Sequence, residues 1–495
     1  MRISHLTFLT SICLIPLAVA CGDDDDTPEG SGGSSGSGAS GGSSGSGASG
    51  GTAGSGGSGA SGGTAGSGAG GSGGSGGNPT CDLSGAGKPR ADVPEPTAGS
   101  TVTLTSDTVW DLKGVVNVVE GATIAIEPCT RIEGDKDTLG TLVIQRGGKI
   151  QAPGEADAPI LFTSALPAGL RSPGDWGGVI ILGKAPNFKM SGGNLPSIEG
   201  LPPGEGAYGG TDEDDDSGVL TYARIEYSGV EIGDGNEING LTLGSVGRGT
   251  TLHHIMVSNT LDDCFEWFGG TVNASHLICN NGGDDMFDID HGFTGSVQFI
   301  FGRQLAPLSS DPNGFECDSD LGGATPVTNG TFSNVTLCGL GHDPANAQYG
   351  AVFRENLLGD YSNMILTGFE ASFDVRDAAG TPAAPNVKLT HTLVKGVVHD
   401  VAYDEEIPGN DQGFDEREWF ALGTGNAVQD TGVVCGAAGS APAPFPAARI
   451  SGGVPLTTSN AGVATGFDTS ADFIGAFEDA QDNWMTGLWV DWAAN

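Results

Sequence analysis

Between residues 262 and 318 acidic side chains recur at related places: Asp262, Asp263 and Glu266, then Asp284, Asp285, Asp288 and Asp290, then Glu316 and Asp318. Two kinds of chemistry use carboxylates at such density. Oxygen-rich sites hold hard divalent cations such as Ca²⁺, and paired acids move protons in general acid–base catalysis. Glu266, Asp288, Asp290, Glu316 and Asp318 are the candidate cation ligands, and the Asp262/Asp263 and Asp284/Asp285 pairs offer further ones. For catalysis the candidates are Asp284, Asp285, Asp288 and Asp290 with Arg354, and His291 is close by. A second run, TDEDDDSG at 211–218, sets Asp212, Asp214 and Asp216 at the alternate spacing of a Ca²⁺ loop. Ser217 stands where such a loop turns on glycine, and a disordered acidic loop is the competing reading. No His/Cys spacing suggests zinc, and the glycines do not form a strand-to-helix phosphate loop.

The elements that must position these acids show themselves by self-similarity. LDDCFEWFGG (261–270) aligns with GDDMFDIDHG (283–292) at an offset of 22, and GFECDSD (314–320), AVFREN (351–356) and ASFDVRD (371–377) repeat the phrase. This predicts a ladder of Phe265, Phe287, Phe315, Phe353 and Phe373, with Trp267, Ile289, Cys317, Glu355 and Val375 as a second, mostly apolar inward column. The residues after each Phe then face outward: Glu266, Asp288, Glu316, Arg354 and Asp374, and two further on Phe268, Asp290, Asp318, Asn356 and Arg376. Upstream, ATIAIEPCTRIEG (122–134) aligns with GTLVIQRGGKIQA (140–152) at an offset of 18, matching Ile124 to Leu142, Ile126 to Ile144 and Ile132 to Ile150. Alternating apolar residues at fixed offsets mean strands stacked turn upon turn. Carboxylates on neighbouring turns about 4.8 Å apart repel by about 3.5 kcal/mol at an effective dielectric of about 20. A bound cation, Arg354 and Arg376, or retained protons must offset that.

The phrase Asp157-Ala158-Pro159-Ile160-Leu161-Phe162-Thr163-Ser164, with DWGGVIILGKAPN (175–187) and FDTSADFIGAF…NWMTGLWVDW (467–492), resembles secreted bacterial β-helix lipoproteins. The expected fold is therefore all-β, a single-stranded right-handed parallel β-helix (a solenoid) with long inserted loops and a small C-terminal cap at about 440–495. The acid pattern resembles that of pectate lyases and polygalacturonases, which share this fold. In the lyases acids on an outward strand face hold Ca²⁺ and an Arg abstracts a proton; in the hydrolases Asp residues, one pair often written G-D-D, serve as acid and base. Gly283-Asp284-Asp285 matches that fragment, without the wider hydrolase pattern.

Charge and organisation bound the rest. With 61 acidic against 20 basic residues the net charge is −41, which repels nucleic acid and favours cations or basic partners. Residues 1–20 read as a secretory signal, and Leu17-Ala18-Val19-Ala20-Cys21 resembles a bacterial lipobox, which implies lipidation at Cys21. Residues 21–77 are acidic and then Gly/Ser-rich, the composition of a flexible tether, and 78–495 form one β-helix domain. Residues 319–349 read as an inserted loop, and 378–466 carry no assignable rung and read as a side loop. Of the nine cysteines, Cys81 and Cys129 are a candidate disulfide. The expectation is a monomeric outer-membrane lipoprotein, held to the membrane by lipid alone and exposed to the cell surface, that binds Ca²⁺ and contacts polysaccharide or another surface partner. A polysaccharide lyase or glycoside hydrolase and a purely structural surface protein are the alternatives.

Overall fold

The computed structural model describes residues 81–495 except 203, 234–235, 307–311, 342–347, 378, 401–411, 447, 457–466 and 494–495. The lipobox with Cys21 and the tether at 21–77 lie outside the described residues.

The chain winds as a right-handed parallel β-helix. One face is a nine-stranded sheet of Val115–Val118, Thr141–Ile144, Val179–Leu182, Leu241–Gly244, Phe265–Phe268, Phe287–Asp290, Phe315–Cys317, Val352–Phe353 and Asp374–Val375. Neighbours in it pair in parallel, with longer connections between them. The remaining wall is a 15-stranded sheet. In its early turns two short strands serve each rung, Lys149–Pro153 and Ile160–Ser164 for example, and Gly218–Glu226 pairs with both. From there on the two segments are fused into one long strand. The fused strands bend at residues with positive φ: Tyr222, His254, His276, Phe299, Asn334, Asn363 and His391.

Alternation along each strand sends apolar side chains into the coil. Phe265, Phe287 and Phe315 pile up there with ring centroids 5.3 and 5.5 Å apart, and Trp267, Ile289 and Cys317 form the adjacent column. The upper end is closed by a short helix, Glu416–Leu422, capped by Asp415, whose carboxylate accepts from Glu418 N at 2.9 Å. Its Trp419 and Phe420 lie 5.4 and 6.0 Å from the Phe373 ring.

Several sequence-derived placements need correction. Residues 319–349 are not one inserted loop, because Asn329–Cys338 within them is a full rung paired with Ser296–Arg303 and Leu358–Thr367. Phe353 pairs with Cys317 and Val375, not Phe315, so the ladder slips by two residues at that rung. A two-residue shift preserves the inward–outward alternation, which is why the pattern could not expose it. Glu355 accordingly leaves the inward column. The offset of 18 is also not a rung: Ile124 stacks on Ile150 and Leu142 on Val116, so the aligned segments belong to different faces of one turn.

The span 378–466 is more than a side loop, since Val387–Lys395 is a full rung and Glu416–Leu422 is the cap. The cap is thus not made by 440–495. Described parts of that segment run back along the outside of the 15-stranded sheet. Asn363 donates to Val454 O, Gln298 to Asp468 O, and Leu488 N to Ala156 O. Trp489 and Trp484 pack there against His254 and His276, and Arg224 pairs with Asp491 at 2.8 Å.

Three disulfides, Cys81–Cys129, Cys264–Cys279 and Cys338–Cys435, cross-link the body, and Cys317 is a buried thiol.

Candidate metal centre

The nine-stranded sheet puts the acids in one outward column because its register is in phase across four strands. Thr242 pairs with Glu266, Glu266 with Asp288, and Asp288 with Glu316. Phe268 pairs with Asp290 on the same face. The slip then places Val352, not Arg354, beside Glu316. Arg354 N donates to Cys317 O at 3.1 Å, which seats Arg354 next to Asp318 instead.

The turns leading into these strands stack as tightly as the strands. Asp263 accepts from Asp285 N at 2.7 Å, Asp285 from Asn313 N at 2.5 Å, and Asn313 from Tyr349 N at 3.1 Å. Gly283 is required for this: a Cβ there would lie 1.7 Å from the Leu261 carbonyl oxygen. So the G-D-D fragment marks close stacking of turns. Asp285, only 2% exposed, uses its carboxylate as a backbone pin.

These constraints separate the acids into two groups. In the lower group, one carboxylate oxygen each of Asp262, Asp263 and Asp284 lie within 4.8 Å of one another, and so do those of Asp263, Glu266 and Asp288. Among the described residues no Lys or Arg forms an ion pair with Asp262, Asp263, Glu266 or Asp288. Burial pushes all four carboxyls well above the usual carboxylate range, and their acidic neighbours push them further, with only Asp288 drawn part of the way back by the charge of Arg354. The Asp288 carboxylate beside Glu266 adds to that upward push. Asn239, 1% exposed, donates its Nδ2 to Glu266, while its Oδ1 is buried without a hydrogen-bond partner. The buried Asp288 Oδ1 likewise has no partner. Two buried oxygens without donors, beside carboxylates crowded within 4.8 Å of one another, form the kind of lining that suits a hard cation.

The upper group has arginine partners, although burial still raises the Asp318 carboxyl above the usual range. Arg354 reaches Asp318 at 2.6 Å and Glu316 at 3.3 Å, and Arg376 reaches Asp374 at 2.7 Å. Burial opposes the charge on Arg354, but Asp318 and Glu316 outweigh it and hold the guanidinium's pKa above the ordinary arginine value. Asp290 pairs with His291 Nε2 at 2.9 Å, and the other ring nitrogen meets Tyr208 Oη at 2.8 Å. Of the predicted cation ligands, then, Glu266 and Asp288 belong to the lower cluster, while Glu316 and Asp318 are held by Arg354 and Asp290 meets His291. Replacing Arg354 by Gln should lower stability by about 3 kcal/mol, read as a fall in thermal midpoint, because two carboxylates lose their cation. An unchanged midpoint would show that those acids hold protons instead.

The run at 211–218 does not assemble a cation site. Asp216 pairs with Lys149 at 2.5 Å, Arg248 pairs with Glu213 and Asp214, and Asp212 accepts from Asp214 N.

Asn239, Glu199 and Glu237 are the participants that sequence reasoning missed. They sit in or beside insertions outside the repeat, so no offset could reveal them. The charges of Glu199 and Glu237 act on Asp262, and that of Glu199 on Glu266 as well.

No curated protein and no solved structure shows a significant match to the chain. Residues 96–433 match the family described as the pectate-lyase like beta helix domain. That span takes in the nine-stranded sheet, its acid column and the capping helix, and on it the chain belongs to the pectate-lyase-like β-helix family.

Proposed function

We propose that this β-helix binds a divalent cation, Ca²⁺, between Asp263, Glu266 and Asp288, and through it contacts acidic polysaccharide at the cell envelope. The observation that carries this reading is the convergence of those three carboxylates within 4.8 Å, with the unpartnered Asn239 Oδ1 beside Glu266. All the donors are oxygens, which favours a hard cation over zinc or copper. Ca²⁺ takes six to eight oxygen ligands in irregular geometry, so three or four protein oxygens leave positions for uronate carboxylates. Asp284 and Asp288 are partly exposed and mark the side from which a glycan would approach.

A lyase would need a base near the cation. Arg354 is a poor one, since Asp318 and Glu316 hold it protonated. In this reading the protein is a lipoprotein of the outer membrane, lipidated at Cys21. Among the described residues no helix is long and apolar enough to cross a membrane.

The test is a panel of acidic and neutral polysaccharides, assayed for retention and for product with Ca²⁺ or with chelator. Retention of acidic chains with Ca²⁺ only, and no product, is expected. Unsaturated ends would make the protein a lyase and new reducing ends a hydrolase. Ca²⁺ binding without retention of any glycan would leave a structural cation site.

A further inference from the structure

The fused strands bend at the same place on successive turns, and on four of these turns the bend residue is aromatic: Tyr222, His254, His276 and Phe299. Their rings form one outward stack with centroids 4.3, 4.1 and 4.8 Å apart. Residues 467–493 lie across it. Trp489 meets His254 at 5.2 Å and Tyr222 at 6.0 Å, Trp484 meets His276 at 5.1 Å, and Phe473 meets Phe299 at 6.3 Å. Gly475 N donates to Asn363 O at 2.9 Å and Leu488 N to Ala156 O at 2.8 Å, and Trp489 is fully buried.

Two imidazoles can lie face to face at 4.1 Å while they are neutral, whereas two imidazolium rings at that spacing repel. His253 tightens the requirement. Its Nδ1 is 3.0 Å from Nδ1 of His254, a hydrogen bond in which one of the two nitrogens must carry no proton. Burial under the segment pulls His254 down to about 2 and His276 to about 3, and the neighbouring histidines add to the shift. No carboxylate is among the described groups that act on either ring. Arg224, on the Tyr222 strand, pairs with Glu226 and with Asp491 of the segment. Arg303, on the Phe299 strand, donates to Asn280 Oδ1 and stacks on Trp492. Asp482 of the segment is raised by burial, so it favours docking in acid, the sense opposite to the histidines.

We propose that residues 467–493 are an acid-released strap, seated on the neutral rings of His254 and His276 and loosened when those rings take up protons. The proposal is independent of the cation centre. With the strap lifted, the rings meet water and titrate toward the ordinary histidine value near 6.5. Docking is therefore at full strength above that pH and weakens as pH falls below it, by up to about tenfold per pH unit for each ring.

The experiment follows hydrogen exchange of the Gly475, Leu488 and Trp489 amides in the full chain at pH 7 and pH 5, corrected for the intrinsic rate. Amides of the Phe287–Asp290 strand report on the body of the coil. Protection of the three strap amides should fall by about 100- to 1,000-fold between the two pH values, and that of the strand should not follow. In His254→Phe/His276→Phe the rings remain but cannot titrate, so the fall should vanish. Each single variant should keep about half of it on a logarithmic scale, and these carry the comparison if the double variant does not seat its strap at pH 7. Equal strap protection at both pH values, or a fall as large in the variants as in the wild type, would overturn the proposal. So would a parallel loss in Phe287–Asp290, which marks global unfolding, or a rise in acid, which would mean that the indoles grip charged rings better than neutral ones.

Discussion

Asp288→Asn should weaken Ca²⁺ binding by at least about 100-fold in a calorimetric titration, while Asp290→Asn, two residues away on the same outward face, should leave it nearly unchanged. The two residues look equivalent in sequence, and the contrast comes from their partners. Asp288 lies within 4.8 Å of Asp263 and Glu266, and its buried Oδ1 has no donor. Asp290 also has an unpartnered Oδ1, but it belongs to neither carboxylate trio, and its other oxygen meets His291, which Tyr208 holds from the other side. Removing Asp288 deletes a ligand and a formal charge from the centre of the cluster. Removing Asp290 disturbs a contact with His291 at its rim. Equal losses from both variants would mean that the cation sits further up the column, between Asp288 and Glu316, and that Arg354 swings away to admit it.

The second large effect is on stability as a function of pH. In chelator, the thermal midpoint should fall as pH rises from about 4 to about 8, by roughly 5 °C or more, and Ca²⁺ should abolish that fall. The sign follows from where the protons reside. Burial first, and acidic neighbours second, raise the carboxyls of Asp262, Asp263, Glu266 and Asp288. In the unfolded chain the same groups ionise near pH 4. Above that pH the native state holds more protons than the unfolded one, so each further rise disfavours folding until the native groups have also ionised. Ca²⁺ replaces those protons, and it should bind more tightly as pH increases. A flat profile in chelator would mean that the four acids are solvated and ordinary. A slope that survives saturating Ca²⁺ would place its origin outside the centre.

How much of this was readable from the chain depends on the physical rule behind each feature. Phe265, Phe287 and Phe315 sit at the predicted register because each is followed by an acid and then an apolar residue, so a one-residue error would have turned acids inward. The next rung escaped because sliding Phe353 by two residues satisfies the same alternation. The pairing of Val352 with Glu316 and of Phe353 with Cys317 settles it, through a strand only two residues long. The acid column was therefore legible, whereas its division into a cation-hungry lower half and an arginine-paired upper half was not. That division turns on the slip, which brings Arg354 to Asp318. Asn239, Glu199 and Glu237 were invisible for a different reason. Contacts made by insertions across the outside of a coil leave no periodic trace.

The C-terminal segment alters how the stack should come apart. Ordinary solenoids couple each repeat only to its neighbours, so they fray from whichever end is weaker. Here Asp491 is fastened to Arg224, 267 residues earlier in the chain, while Val454 and Asp468 are held by Asn363 and Gln298 several turns away. Peeling an end rung would not lengthen the array one step at a time; it would have to strip a buckle that spans the middle of the coil. Melting should accordingly be steep and shared by the bridged turns, and synthesis of the final forty or so residues becomes the event that locks the earlier turns in place.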